Sequence, residues 1–215
     1  MKDQITIGSR SGLCNRLRFL SVALNDAKRV KMFWPKNNAC NSTWGELFED
    51  LPNVTFVPCT GNALTRQKLD SITGNHQKIT LLDLKPRVEL SYPNQQYVAV
   101  HVRRTDIETI LRKYSMTAIP DESFFRFIDE SKIDLVYLAT DNAKTQRIFQ
   151  QKYGERLIVY NSINQFGSRF QPVRCTSVTH AVADLCYCVH SNAFMGTDGS
   201  SFTGQIRIAR SRLHQ

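Results

Sequence analysis

No segment of the sequence approaches the roughly 20 consecutive apolar residues of a membrane-spanning helix, so no membrane span is expected. Glycine is scarce, at 10 of 215 residues, and no heptad pattern runs through the chain, which excludes collagen-like and coiled-coil architectures. Long blocks of like charge are absent and 41% of the residues are hydrophobic, so a disordered chain is excluded too. There is no internal repeat and no low-complexity tract. Metal-site spacings are missing as well: no C-x-x-C, no H-E-x-x-H and no EF-hand loop, so no metal is expected. Cys186 and Cys188 lie two apart in a predicted helix and point to different faces, which does not suit a zinc pair. Asp-x-Asp does not occur, and neither does G-x-G-x-x-G or a P-loop. Basic runs and local stacking motifs are absent, which argues against a nucleic-acid partner. Met1-Lys2-Asp3-Gln4 leads straight into a strand-like run, from which no secretory leader is expected. The six cysteines, Cys14, Cys40, Cys59, Cys175, Cys186 and Cys188, are then expected as reduced thiols of a cytoplasmic protein.

What is present is an ordinary globular composition with a cationic surplus. Lysine and arginine number 28 against 19 acids, a net charge of +9. A surplus of that size favours anionic partners: nucleic acid, anionic lipid or a phosphorylated small molecule. It also fits a soluble protein whose surface is merely basic. The arginines stand singly or in pairs beside predicted turns, an arrangement that suits a pocket for a compact anion better than a long electrostatic track.

Strand-like and helix-like segments alternate along the whole chain. The first half reads as strand Gln4–Ile7, helix Asn15–Arg29, strand Val30–Trp34 stopped by Pro35, and two further strands at Val54–Val57 and Ile79–Leu82 with a weaker helical stretch between them. Asp83–Gln96, with Pro86, Pro93 and Asn94-Gln95-Gln96, reads as a linker. In the second half Tyr97–Val102 is a continuous apolar run, as expected of a strand covered on both faces. Helices are predicted to about Ser131 from Pro120-Asp121-Glu122, and over Ala143–Tyr153, Thr176–His190 and Ser200–Arg210. Strands are predicted at Leu135–Ala139, Leu157–Tyr160 and Ala193–Gly196. This alternation predicts an α/β protein of two Rossmann-like halves with parallel sheets, residues 1–90 and 91–215, facing a cleft.

Ligands of open parallel sheets bind outside the carboxyl ends of the strands, and three tracts put suitable residues there. His101-Val102-Arg103-Arg104-Thr105-Asp106 ends the best strand; a guanidinium there can bind phosphate oxygens in bidentate fashion. Asp106 is a candidate to hold one arginine, and the bland reading is a surface Arg–Asp pair with a core histidine. Gly8 to Arg18 joins a strand to a helix start. Arg16 and Arg18 there oppose the helix macrodipole unless an anion offsets them, although a merely tolerated arginine fits equally. Gly196-Thr197-Asp198-Gly199-Ser200-Ser201-Phe202 presents hydroxyls and backbone N–H groups at another helix start, with Ser200 as a possible N-cap only. Asp141 follows a strand end and either accepts from a sugar hydroxyl or caps the next helix. Asp184 is read as solvated or as reaching into the cleft.

These tracts, Gly12-Leu13-Cys14-Asn15-Arg16-Leu17, His101 to Asp106, Ala139-Thr140-Asp141 and Asp184 through Ser200-Ser201-Phe202, occur in the order seen in the fucosyltransferase superfamily. The chain resembles the branch of the α1,6-fucosyltransferases and bacterial Nod-factor enzymes, most specifically in the His-x-Arg-Arg-Thr-Asp motif. The resemblance implies a GT-B-like fold with an acceptor side in residues 1–90 and a donor side in 91–215. It implies an inverting glycosyltransferase of glycan biosynthesis that uses GDP-fucose as donor and a glycan hydroxyl as acceptor, with no metal or other cofactor. Arg103 would grip the β-phosphate and stabilise the departing GDP. His101 and Arg104 would line that site, Asp184, Ser200 and Ser201, with the adjoining Phe202, would contact the nucleotide, Asp141 would lie nearby, and Asn15 and Arg16 would face the donor. For the base that takes the acceptor proton, Glu108 is favoured over Asp106. Ile107 and Leu111 stand where the α1,6 members carry lysine and glutamate, and Cys14 where glycine is common, which argues against assigning the α1,6 linkage. The competing expectations are a nucleotide-sugar-binding protein without catalysis and an RNA-binding module.

Overall fold

The computed structural model describes residues 1–60, 64–65, 67–72, 77–104, 117–160 and 176–213. It divides the chain into two units, Met1–Glu89 and Leu90–Gln215.

The first unit is organised on β1 (Lys2–Gly8), β2 (Ala27–Pro35) and β3 (Val54–Cys59), all parallel and in that spatial order. α1 (Leu13–Asp26) is the crossover between β1 and β2; Leu13, Leu17, Leu20 and Leu24 recur at helical spacing and are buried. The sequence pattern extends this helix to Arg29, but the chain enters β2 directly at Ala27, because pairing Lys2 with Ala27 and Gln4 with Arg29 draws these residues into the sheet. A one-turn helix, α2 (Trp44–Leu47), starts with a Thr43–Glu46 capping box and seats Trp44 flat on Phe56, ring centroids 4.0 Å apart.

The strand expected at Ile79–Leu82 is not formed. Ser21 of α1 exchanges both hydrogen bonds with Ile79: its Oγ donates to the Ile79 carbonyl at 2.7 Å and accepts from the Ile79 N–H at 2.9 Å. Thr80 then caps a 3-10 turn over Leu81–Asp83. A helix side chain therefore satisfies backbone that a sheet would otherwise have claimed. The expected linker is also shorter than its composition suggests. Glu49 N–H donates to Lys85 O and Arg87 N–H to Leu47 O, so residues 85–87 belong to the first unit. Ser91 is tied to the second by exchanging hydrogen bonds with the Tyr187 hydroxyl.

In the second unit β4 (Tyr97–Val102), β5 (Leu135–Thr140), β6 (Leu157–Ile158) and β7 (Ala193–Gly196) form a parallel sheet in the order β6–β5–β4–β7. All six residues of β4 are buried, as its unbroken apolar run predicts. α3 (Asp121–Ser131), α4 (Ala143–Tyr153), α5 (Val178–His190) and α6 (Ser201–Leu213) are its helices. Alternation along the strands sorts side chains by face. Val98, Val100, Val102, Val136 and Leu138 pack with Phe124, Ile128, Phe149 and Tyr153 of α3 and α4. Tyr97, His101 and Tyr137 instead meet α5 and α6. The order of strands reverses between β4 and β7, which makes the carboxyl ends of that pair the switch point where such sheets bind ligands. The fold class is thus α/β, with a parallel sheet in each unit. No helix among the described residues is long and apolar enough to cross a membrane.

Candidate functional site

The ends of β4 and β7 are locked together by one threonine. Gly196 is in register with His101, and the next residue, Thr197, carries the pairing one step further. Its N–H and Oγ1 both donate to the His101 carbonyl, at 2.9 and 3.0 Å, and Oγ1 accepts the Arg103 N–H at 3.0 Å. The backbone of Arg103 is thereby held as it leaves the sheet, with the residue half-buried. Thr197 was not a sequence candidate; only its place beside His101 reveals it.

His101 is buried and clasped by the first turn of α6. Its Nδ1 lies 2.8 Å from Thr203 Oγ1, and Phe202 stacks on the ring at a centroid separation of 4.4 Å. Burial, with the adjacent Arg103 charge adding to it, pushes the imidazole pKa down to about 3, so the ring is neutral at working pH. Such a ring orients its neighbours through one donor and one acceptor and adds no charge.

Ser200 lies between Thr197 and Phe202. Its carbonyl accepts the Gly204 N–H and so opens α6, but its buried Oγ has no hydrogen-bond partner among the described residues. The side chain is therefore not spent on capping the helix. Buried hydroxyls are normally satisfied, and this one stands at a helix N-terminus with Ser201 beside it. Gly199 takes φ +71°, a turn conformation that glycine adopts without strain.

Other candidates are placed differently from their expectations. Arg104 pairs with Asp121, the first residue of α3, and lies 5.9 Å over the Phe124 ring, so its guanidinium is engaged inside the unit. Asp141 does not cap α4; Asn142 does, accepting the Thr145 N–H at 2.9 Å, while Asp141 Oδ1 accepts the Arg104 N–H at 3.0 Å. In the first unit Arg16 is fully buried. It donates to Ser11 O at 2.6 Å, to Pro35 O at 2.9 Å and to Asn37 Oδ1 at 3.2 Å, with Trp34 beneath it at 4.9 Å. Carbonyl oxygens thus offset this cation at the helix start, in keeping with the reading of a tolerated arginine. Asn15 is half-buried on the same helical turn, and Arg18 is exposed. Asp106, Ile107, Glu108, Leu111 and Cys175 lie outside the described residues.

Asp184 is neither solvated nor at a strand tip. It is 5% exposed, in the middle of α5, and accepts a 2.7 Å hydrogen bond from Tyr137, whose position is mid-strand in β5. His180, one turn earlier, is 3.7 Å away, and Tyr187 stacks on Tyr137 at 4.4 Å. Burial raises the Asp184 pKa to about 8, with the Tyr137 bond acting in the opposite direction. Burial lowers that of His180, so at neutral pH both are predominantly uncharged. Because the folded-state pKa of Asp184 exceeds its unfolded value, its contribution to stability is complete below about pH 4 and is lost as pH rises through about 8. Asp184→Asn is therefore expected to flatten the fall in stability between about pH 4 and 8, measured by urea unfolding across that range. An unchanged slope would show that the carboxyl is already ionised in the fold.

Among the described residues no group of three or more His, Cys, Asp or Glu side chains could hold a metal ion. At the β4–β7 switch point stand an arginine at a strand tip, a helix N-terminus, and a buried hydroxyl without a hydrogen-bond partner among the described residues, groups of the kind that can receive an anion.

No protein-family model matches the sequence, and no curated protein does so either. Among solved structures, the chain is similar in fold to NodZ alpha-1,6-fucosyltransferase co-crystallised with GDP, with a TM-score of 0.56 and 13% sequence identity. The likeness covers 97% of this chain and 93% of that one, so it extends through both units.

Proposed function

We propose that this protein is a glycosyltransferase that binds a nucleotide-diphosphate sugar at the β4–β7 switch point and transfers the sugar, with inversion, to a glycan hydroxyl. GDP-fucose is the donor in this reading. The observation that carries it is the unpartnered Ser200 Oγ at the start of α6, next to the His101–Thr197–Arg103 network. The fold likeness to a GDP-bound fucosyltransferase and the motif order in the sequence support the same reading.

The acceptor oxygen attacks the anomeric carbon from the face opposite the diphosphate. Its bond to the sugar forms as the sugar–phosphate bond breaks, and the electron pair of that bond stays on the β-phosphate. Arg103 meets the charge developing there. Ser200 and Ser201 donate to the nucleotide, and neutral His101, stacked on Phe202, keeps the strand tip in shape without repelling the arginine. The acceptor proton goes to a carboxylate, here assigned to Glu108, in or just after the transition state. Arginine takes the place of a divalent ion in balancing the diphosphate, so the reaction runs without metal.

A thermal-melting series with GDP, ADP and UDP, each with and without EDTA, tests this reading. GDP at about a hundred times its dissociation constant stabilises by about 2.7 kcal/mol, a rise of roughly 5–10 °C for a chain of this length. The rise should be selective for GDP and indifferent to EDTA. Equal response to all three nucleotides, or loss of the effect on chelation, defeats the reading.

A further inference from the structure

At the opposite end of the second sheet, where β4 and β7 begin, lies a shallow depression of about 390 Å³, open to solvent and lined by Tyr92, Pro93, Asn94, Gln95, Gln96, Tyr97, His190 and Asn192. That volume is within the range of small-molecule sites. Its chemistry differs from the rest of this cationic chain. Four carboxamides line it, three of them with both the carbonyl acceptor and the NH2 donor to offer, and no carboxylate, lysine or arginine does. Burial and the neighbouring Arg210 lower the pKa of His190, so its imidazole is uncharged at neutral pH.

The aromatic wall is braced, while the carboxamides stand in solvent. Tyr92 retains 38% of its surface in solvent, yet its ring is braced by Tyr187 and His190, each with a centroid 5.1 Å away. Ser91 exchanges hydrogen bonds with the Tyr187 hydroxyl, and Tyr97 OH donates to Tyr187 O at 2.9 Å. Asn192 spends its carbonyl oxygen on the Tyr97 N–H at 3.0 Å, which leaves its NH2 group without a partner among the described residues. A rigid aromatic ring beside several unspent carboxamides suits a ligand with a flat apolar face and an edge of hydroxyls. A pyranose with equatorial hydroxyls has that form: its axial C–H groups make the flat face and its hydroxyls radiate from the rim. Phosphates find no cation in the lining, and a lipid chain would strand the carboxamides.

We propose that this depression is a binding site for a neutral oligosaccharide of equatorially substituted pyranose units, with one ring against Tyr92 and its hydroxyls on Asn94, Gln95, Gln96 and Asn192. It is separate from the donor site, because it opens at the amino ends of the strands whose carboxyl ends carry His101 and Arg103. It would retain a glycan chain on the protein whichever sugar is transferred.

Saturation-transfer NMR on the full chain, with cellotetraose as probe, tests it. Magnetisation should pass to the sugar C–H protons and be undiminished by excess inorganic phosphate. Tyr92→Phe should keep the signal, Tyr92→Ala should weaken binding about tenfold, and Gln95→Ala combined with Gln96→Ala should weaken it severalfold. GDP-induced stabilisation, measured on the same samples, should be unchanged in all three variants, so failure of this site and failure of the donor-site reading give different results. Absence of transfer in the wild-type protein overturns the proposal, as does an undiminished signal in Tyr92→Ala.

Discussion

Replacing Arg103 with alanine should lower turnover by about two to three orders of magnitude, the usual cost of about 2.7–4 kcal/mol when one preorganised contact to developing charge is removed. The loss should fall on kcat more than on KM, because in the proposed reaction the guanidinium meets charge that grows as the sugar–phosphate bond breaks. The fold should survive, since the contacts that hold this strand tip are made by the Arg103 backbone to Thr197 rather than by its side chain alone. Arg103→Lys should recover part of the rate, for it keeps the charge and loses the planar fork. Steady-state kinetics with GDP-fucose, alongside circular dichroism of each variant, measures all of this. Wild-type rates in a folded alanine variant would remove Arg103 from the chemistry.

Gly196→Ala should damage the site from within the sheet. A β-carbon there would lie 2.6 and 2.7 Å from Thr203 Oγ1 and Cγ2, and 2.8 Å from Phe194 Cζ. Both branches of Thr203 are in the way, so turning its χ1 cannot clear the space, and a β-branched residue in a helix has few rotamers to spare. Overpacking of this kind commonly costs about 1–3 kcal/mol. The cost should not be confined to stability, because Thr203 is the partner of His101 Nδ1 and displacing it releases the ring that stacks on Phe202. The expected result is a lower melting temperature together with the loss of most GDP-induced stabilisation. Gly204→Ala, where nothing lies within 4 Å of the added carbon, serves as the control: it should leave the GDP response intact and hold or slightly raise the melting temperature, since alanine favours a helix interior over glycine. If Gly196→Ala melts like the parent and responds fully to GDP, the packing account of the β4–β7 tip is wrong.

Much of the secondary structure was readable because its signals are local. The apolar run Tyr97–Val102 reads as a strand covered on both faces and forms one, and the boundaries Ala143–Tyr153 and Ala193–Gly196 agree with the structure. The misreadings share one cause. Ile79–Leu82 has the composition of a strand, but Ser21, 58 positions earlier, takes the backbone groups that a strand would use. Ala27–Arg29 continues a helical pattern, but the register with β1 makes it sheet.

The same division runs through the candidate site. Arg103, His101 and Ser200 are legible as candidates because they stand at the end of a strand or the start of a helix, positions that chain order reveals. Thr197 and Thr203 were missed because a threonine near a helix start has no distinguishing local pattern; their importance lies in what they touch across 94 to 102 positions. Arg104 and Asp184 show the converse. Local pattern marks them as charged groups available to a ligand, yet Asp121 engages one and Tyr137 with burial encloses the other.

Periodicity, turn residues and motif order by themselves determined that this chain alternates strand and helix in two halves and carries arginine and hydroxyls at strand tips, because those features depend on neighbours a few residues apart. Which hydroxyl is left unsatisfied, which carboxylate is buried and protonated, and which strands meet at the switch point were decided only by tertiary structure. Burial and hydrogen-bond pairing bring together residues far apart in the chain, and no local pattern encodes that exchange of water for a distant partner.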